Sequence, residues 1–277
     1  MTLSTTPPEP TTPHVDRRAW TRILLNKVPE VTVLFWVVKI LSTTVGETAA
    51  DFLNENVGLG LSATTALMAL LLAAVLIVQF SLRRYVPAVY WLAVVLVSVV
   101  GTLFSDNLVD NLGVSLWTTS AIFGAGLIAS FVAWYRSEHT LSIHSIVTRR
   151  REAFYWLAIL FTFALGTSAG DLVAEKLAVG YLPSALIFGS LIAVITASYF
   201  AFKADAVIAF WAAYIVTRPF GASMGDFLTA STKDGGLGLG TNGTSALFIA
   251  IIVGCVGWFT ITARRADRDL VLTPAAA

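Results

Sequence analysis

Four aspartates, Asp51, Asp106, Asp171 and Asp226, each stand five residues after a glycine (Gly46, Gly101, Gly166, Gly221) and fifteen after a tryptophan (Trp36, Trp91, Trp156, Trp211), inside otherwise apolar segments. Ionisable groups in such surroundings are costly to keep and mark function by default. Residues four apart share a helical face. Reading every fourth residue gives Thr43, Glu47, Asp51, Glu55 in the first copy and Ser98, Thr102, Asp106, Asp110 in the second. The third gives Phe163, Thr167, Asp171, Glu175 and the fourth Arg218, Ala222, Asp226, Ala230. Three of the four stripes are ladders of oxygen donors that end in a carboxylate pair.

Carboxylates gathered at one level repel one another unless some are protonated or a cation sits among them. The chemistry expected is therefore cation binding, with Glu47, Asp51, Asp106, Asp171 and Asp226 as candidate metal ligands. Thr43, Thr102 and Thr167 would add hydroxyl oxygens, and Glu55, Asp110 and Glu175 a wider acidic rim. Oxygen donors without His or Cys favour hard ions such as Mn²⁺, Mg²⁺ or Ca²⁺ over copper or zinc. Two cations break the pattern. Lys39 is three residues after Trp36, close enough to the membrane surface to snorkel. Arg218, seven after Trp211 and followed by Pro219, is the better candidate for an intramembrane ion pair or gate, with Glu47 about 6 Å further along as its expected partner.

The elements that must position these groups follow from composition. The chain of 277 residues is 56% hydrophobic and 13% charged, with a mean hydropathy of +0.77, far more apolar than a soluble domain. Apolar stretches long enough to span a bilayer as helices occur at about 31–53, 61–81, 87–106, 115–135, 154–174, 182–202, 206–227 and 244–263. The tryptophans recur after 55, 65 and 55 residues, so the first half recurs 120 residues on. The expected fold is all-α and integral to the membrane: eight transmembrane helices as four tandem two-helix repeats, a duplicated duplication of quasi-fourfold or nested twofold symmetry. Tryptophan at each start suits a headgroup anchor. Each glycine is followed four residues on by Ala50, Ser105, Gly170 or Gly225, the small-xxx-small pattern of closely packed membrane helices. The even helices are nearly free of charge, repeat a Thr/Ser-Ala theme (Thr65, Thr119, Ser184, Thr244) and read as packing helices. The glycine-rich loop 233–243 reads as flexible.

Of 18 Lys and Arg, the side shared by both termini holds Arg17, Arg18, Arg22, Lys27, Arg83, Arg84, Arg136, Arg149, Arg150, Arg151, Lys203, Arg264, Arg265 and Arg268, while Lys176 and Lys233 lie opposite. Short basic loops stay in the cytoplasm, so both termini are expected inside, in the cell inner membrane. Residues 1–19 read as a disordered cytoplasmic tail, 20–136 as a first membrane half, 137–152 as a cytoplasmic loop, 153–265 as a second membrane half and 266–277 as a second tail. The basic run Arg149–Arg151 in that loop, near His139 and His144, reads as an orientation signal, with a regulatory or lipid-binding site as the alternative. The lone Cys255 excludes a disulfide framework.

The leading functional expectation is a secondary transporter or exporter of a small cation, a divalent metal such as Mn²⁺ exchanged for protons. Repeats that meet at a midplane site are a common transporter design. The alternatives are a cation channel or a non-transporting scaffold or sensor. An enzyme is not expected, because the histidines and the acids fall on opposite sides. No cofactor is expected beyond a divalent cation as substrate. The expected partners are the lipid bilayer and that cation, no nucleic acid, and a second copy in a homo-oligomer.

The segment Lys27-Val28-Pro29-Glu30-Val31-Thr32, with Phe35-Trp36, Lys39, Thr43-Thr44, Gly46-Glu47 and Asp51-Phe52 after it, resembles the signature of a bacterial family of uncharacterised membrane-anchored proteins built from a repeat of unknown function. The likeness covers about residues 27–263. The second and third copies lack the Lys and Glu, and the fourth has Arg218 and Ala222 there. The resemblance implies a multi-pass bacterial inner-membrane protein and no particular activity.

Overall fold

The computed structural model describes residues 26–272, of which 55, 56, 234 and 263–272 are described in backbone only. Among the described residues eight helices are long and apolar enough to cross a membrane, as the apolar stretches require: α1 Val33–Asp51, α2 Leu61–Ser81, α3 Pro87–Asp106, α4 Leu116–Glu138, α5 Arg149–Asp171, α6 Tyr181–Phe202, α7 Ala206–Thr229 and α8 Thr241–Leu272. The chain is a multi-pass membrane protein. The expected tail over residues 1–19, with Arg17 and Arg18, lies outside the described residues, as does Arg22. The loop expected at 137–152 shrinks to 139–148, because Thr148 caps α5 by accepting the Arg151 N–H (3.3 Å). At the other end α8 continues as helix to Leu272, where a tail was expected from 266.

The odd helices α1, α3, α5 and α7 form the centre. α1 packs on α3, α3 on α5, α5 on α7, and α7 returns to α1, which closes a ring. Glycine sets the approach at every contact. A Cβ added at Gly46 would overlap Ser98 of α3, and one at Gly101 would lie 2.6 Å from Phe163 Cβ of α5. A Cβ at Gly166 would overlap Arg218 of α7, and one at Gly221 would lie 2.6 Å from Thr43 Cγ2 of α1. Each glycine thus receives the residue three positions before its counterpart glycine on the next ring helix, and the small-residue stripe does what such stripes do where no hydrophobic driving force exists.

The even helices lie outside. α2 packs chiefly on α3, α4 on α5, α6 on α7, and α8 on α1, so each leans on the ring helix of the following repeat. Near its start each of these helices buries one hydroxyl, of Thr64, Thr119, Ser184 or Thr244, and α2 and α4 bury Gln79 and Ser130 as well. In the first repeat that position is Thr64. Thr65 instead accepts the Asn107 side chain (2.6 Å).

Three ring helices end alike. Immediately after Asp51, Asp106 and Asp171 the chain makes one π-helical turn, Phe52–Asn56, Asn107–Asn111 and Leu172–Lys176, closed by bonds such as Val57 N–H to Phe52 O (3.0 Å). A left-handed residue follows in each: Gly58 (φ 72°), Gly113 (φ 66°) and Ala178 (φ 53°). The fourth repeat lacks this turn. There the glycine-rich loop folds back on the end of α7, donating from Leu237 N–H to Phe227 O (2.7 Å), Gly238 N–H to Ala230 O (2.8 Å) and Leu239 N–H to Leu228 O (3.0 Å). The segment read as a flexible loop caps a helix, because α7 ends without the turn that satisfies its neighbours' carbonyls.

Candidate functional site

Because the repeats keep register at offsets of 55, 65 and 55, every fourth residue of the ring helices builds one level of side chains around the ring. The first level holds Asp51, Asp106, Asp171 and Asp226. Below it come Glu47, Thr102, Thr167 and Ala222, then Thr43, Ser98, Phe163 and Arg218, then Lys39, Val94, Ile159 and Tyr214, and last Phe35, Tyr90, Tyr155 and Phe210. Asp51 is exposed and the other three aspartates are half-buried, whereas every residue of the four lower levels is buried. The interior therefore grades from a wet acidic level to a dry aromatic one.

At its heart is the ion pair expected from the sequence. Arg218 Nη2 stands 2.6 Å from Glu47 Oε2, with Arg218 fully buried and Glu47 8% exposed. The same nitrogen also donates to Thr167 Oγ1 (2.6 Å) and to Thr102 Oγ1, and Thr102 Oγ1 in turn donates to Glu47 Oε2 (3.1 Å). Arg218 Nε and Nη1 have no hydrogen-bond partner among the described residues. The guanidinium stem reaches the axis because Gly166 leaves room for it. Its plane lies near the Phe163 ring, 5.4 Å from Cζ to the centroid, a cation–π contact that offsets part of the cost of burying the charge.

Lys39 does not snorkel. It is 1% exposed, and its ammonium donates to Tyr214 O (2.9 Å) and to Thr217 Oγ1 while standing over the Tyr214 ring (4.6 Å). Its partners are neutral: three donors are met by a carbonyl, a hydroxyl and an aromatic face. Arg218 and Lys39 therefore occupy adjacent levels, and only the former has a carboxylate.

Other expected positions separate. Thr102 and Thr167, read as hydroxyl oxygens for a bound cation, both accept from Arg218. Thr43 does not: its hydroxyl donates to Lys39 O (3.0 Å) and its methyl fills the space above Gly221, so it is a packing residue. The carboxylates of Asp106, Asp171 and Asp226 make no hydrogen bond or ion pair with a described residue. Among the described residues no three carboxylate, imidazole or thiolate groups converge closely enough to share one metal ion. The five acids proposed as a ligand set therefore stand in two levels instead of forming one compact shell. Of the outer rim, Asp110 and Glu175 are exposed on the π turns, and the Glu55 side chain lies outside the described residues.

The tryptophans correct a second expectation. Trp91, Trp156 and Trp211 are 2%, 4% and 4% exposed, too buried for headgroup anchors. Trp211 and Trp91 fill seams between ring and outer helices, Trp211 packing on Phe131 and Trp134 of α4 and Trp91 lying parallel to Phe259 of α8, while Trp156 packs on Tyr90 of the ring helix α3. Two indoles are hydrogen-bonded, Trp211 to Leu141 O (2.9 Å) and Trp91 to the Tyr85 hydroxyl (3.1 Å). Burial raises the Tyr85 phenol above its usual pKa range and keeps it protonated.

Sequence reading passed over the aromatic level. Tyr90 and Tyr155 share a hydroxyl–hydroxyl bond of 2.5 Å, and the Phe35 and Phe210 rings lie 6.2 Å apart. The signal was available, since these four residues sit sixteen before the four aspartates at the same offsets. A cavity of about 520 Å³ lies to the side of the ring, lined by Trp36, Ile40, Ile192, Phe210 and Thr217 among others. Its lining is mostly apolar, includes Glu30 and His144, and holds none of the axial acids.

Comparison with curated proteins and with solved structures finds no match. One family model does match, four times, over residues 34–85, 89–140, 154–205 and 209–265, and its starting points repeat the offsets of 55, 65 and 55 that place the levels. The protein belongs to the family built from the Repeat of Unknown Function (DUF347).

Proposed function

We propose that the protein is a secondary transporter of a small hard cation, a divalent metal such as Mn²⁺ exchanged for protons, held in the cell inner membrane with both termini in the cytoplasm and its four repeats in quasi-fourfold arrangement. The observation that carries this reading is the graded axis: acids open to water at one end, the buried Glu47–Arg218 pair beneath them, and an aromatic level closing the other end. A polar path that is blind at one end suits alternating access better than a continuous pore. Four separated carboxylates at the mouth raise the local cation concentration. A modest inward tilt of the ring helices would bring them around one ion.

Arg218 then acts as a tethered internal cation. It holds Glu47 while the site is empty, and a metal ion or a proton arriving at Glu47 competes with it. Charge alternation along the axis couples the two cargoes, because Glu47 is shared by whichever cation is present. All donors near the axis are oxygen atoms, which favours hard ions.

The test is reconstitution in liposomes with fluorescent readouts of Mn²⁺, Ca²⁺ and pH. Wild type is expected to move Mn²⁺ with counter-movement of protons. Glu47→Gln and Asp106→Asn are expected to lose most of that flux while remaining folded. Equal flux from all three proteins overturns the carboxylate site, and unitary currents in a planar bilayer overturn the transporter in favour of a channel.

A further inference from the structure

Away from the axis, at the end of the molecule opposite the acids, three segments far apart in sequence bring cations to one place. Lys27 precedes α1, Arg83 follows α2, and Arg149 opens α5. The three side chains, with Phe80, Leu82 and Val147, line a cavity of about 270 Å³.

The fold builds this cavity deliberately. Lys27 is positioned by its backbone N–H, which donates to Ile146 O (3.0 Å). Its side chain is 5% exposed and paired with Glu152 (2.6 Å), which also accepts from Gln79 Nε2 (2.9 Å). Its ammonium also reaches the Phe80 carbonyl (3.4 Å), so the negative end of α2 is partly covered.

Arg83 and Arg149 are exposed and form no ion pair among the described residues. The neighbouring Arg150 and Arg151 are engaged by Glu138 (3.7 and 2.8 Å). Arg149 is the first residue of the 23-residue α5, whose first turn already carries Glu152 and the Thr148 cap, so the positive charge of the cavity comes from the arginine side chains. Two guanidinium groups without an ion pair among the described residues and an apolar lining of Phe80, Leu82 and Val147 lie together between the end of α2 and the start of α5.

We infer that this cavity binds the headgroup of an anionic phospholipid, its phosphate between Arg83 and Arg149 and its glycerol and upper acyl carbons on the apolar floor. Basic pockets between transmembrane helices at a membrane surface recognise acidic lipids in this way. The apolar floor decides for a lipid over free phosphate, which would have no use for it. The bound lipid would tie the first half of the chain to the second at α5. The inference is independent of what the axis transports.

The test uses the full chain in neutral detergent, with thermal unfolding and native mass spectrometry as readouts. Equimolar phosphatidylglycerol and phosphatidylcholine are offered together, and inorganic phosphate is offered separately. Wild type is expected to retain phosphatidylglycerol selectively and to melt at higher temperature with it. Each arginine near the surface is worth about fivefold in affinity, so R83Q/R149Q is expected to retain about 25-fold less, while R83K/R149K and R150Q keep the preference. No phosphatidylglycerol preference in wild type, or its survival in R83Q/R149Q, overturns the site. Stabilisation by inorganic phosphate equal to that by the lipid overturns the lipid as occupant.

Discussion

Ring helices and outer helices pass the same test of length and hydropathy, yet 56 to 72% of each ring span is buried inside the protein against 6 to 22% of each outer span. The ring holds Lys39, Glu47, Arg218 and four aspartates, whereas the outer helices keep their Lys, Arg and Glu to their ends. Hydropathy alone does not separate them. What separates them is glycine at every contact between ring helices; outside, Gly126 and Gly189 each meet one aromatic ring, of Phe161 and Phe220, while Gly243, Gly254 and Gly257 of α8 face open space. Charge inside a bilayer is tolerated where backbones approach closely enough to shield it. Close approach and charge therefore belong to the same four helices.

The largest expected effect breaks the charged side of that contrast. Glu47→Gln leaves Arg218 buried without a counter-ion and is expected to cost about 3–5 kcal/mol, read as a fall in melting temperature in detergent. The double variant E47Q/R218Q is expected to recover much of the loss, and strict additivity of the two single changes would show that the groups are not coupled.

Next comes the packing side. Gly166→Ala forces a methyl into the Arg218 side chain and is expected to destabilise by about 1–3 kcal/mol, while Gly254→Ala, with nothing within 4 Å of its added Cβ, is expected to be neutral or slightly stabilising. Equal melting temperatures for the two variants would erase the distinction between ring and outer glycines.

The smallest effect has the opposite sign. Ala178 adopts the left-handed conformation that Gly58 and Gly113 take in the first two repeats. Ala178→Gly is expected to raise stability by about 1 kcal/mol, measured by the same melts. A fall instead would mean that the Ala178 side chain packs in a way the other two turns do without.

Much of this was legible beforehand because the repeat is kept in register. Spacing placed Glu47 one level above Arg218 on another ring helix, and the pair is there at 2.6 Å. Seven of the eight helices fell within five residues of their expected bounds, since twenty apolar residues have few other ways to satisfy their backbone in lipid, while α8 continues nine residues past its expected end, to Leu272. Other expectations failed for a common reason. The tryptophans, Lys39 and Thr43 were each read from depth along a helix, and depth does not say which way a side chain points. Trp91 and Trp211 turned into seams, Lys39 turned to a carbonyl and an aromatic face, and Thr43 turned to a glycine. The π turns after three of the aspartates carry no signature that a period of 3.6 would reveal.

From sequence alone came the apolar length of the helices, their fourfold recurrence and the polar residues that recur at one level, all of them local or periodic properties of the chain. Only tertiary structure decided that the odd helices close a ring, that each even helix leans on the next repeat, that Arg218 reaches Glu47 through the gap left by Gly166, and that the five acids stand apart in two levels. Those outcomes depend on the azimuth of each helix and the distance between axes, which are set by packing between segments remote in the chain.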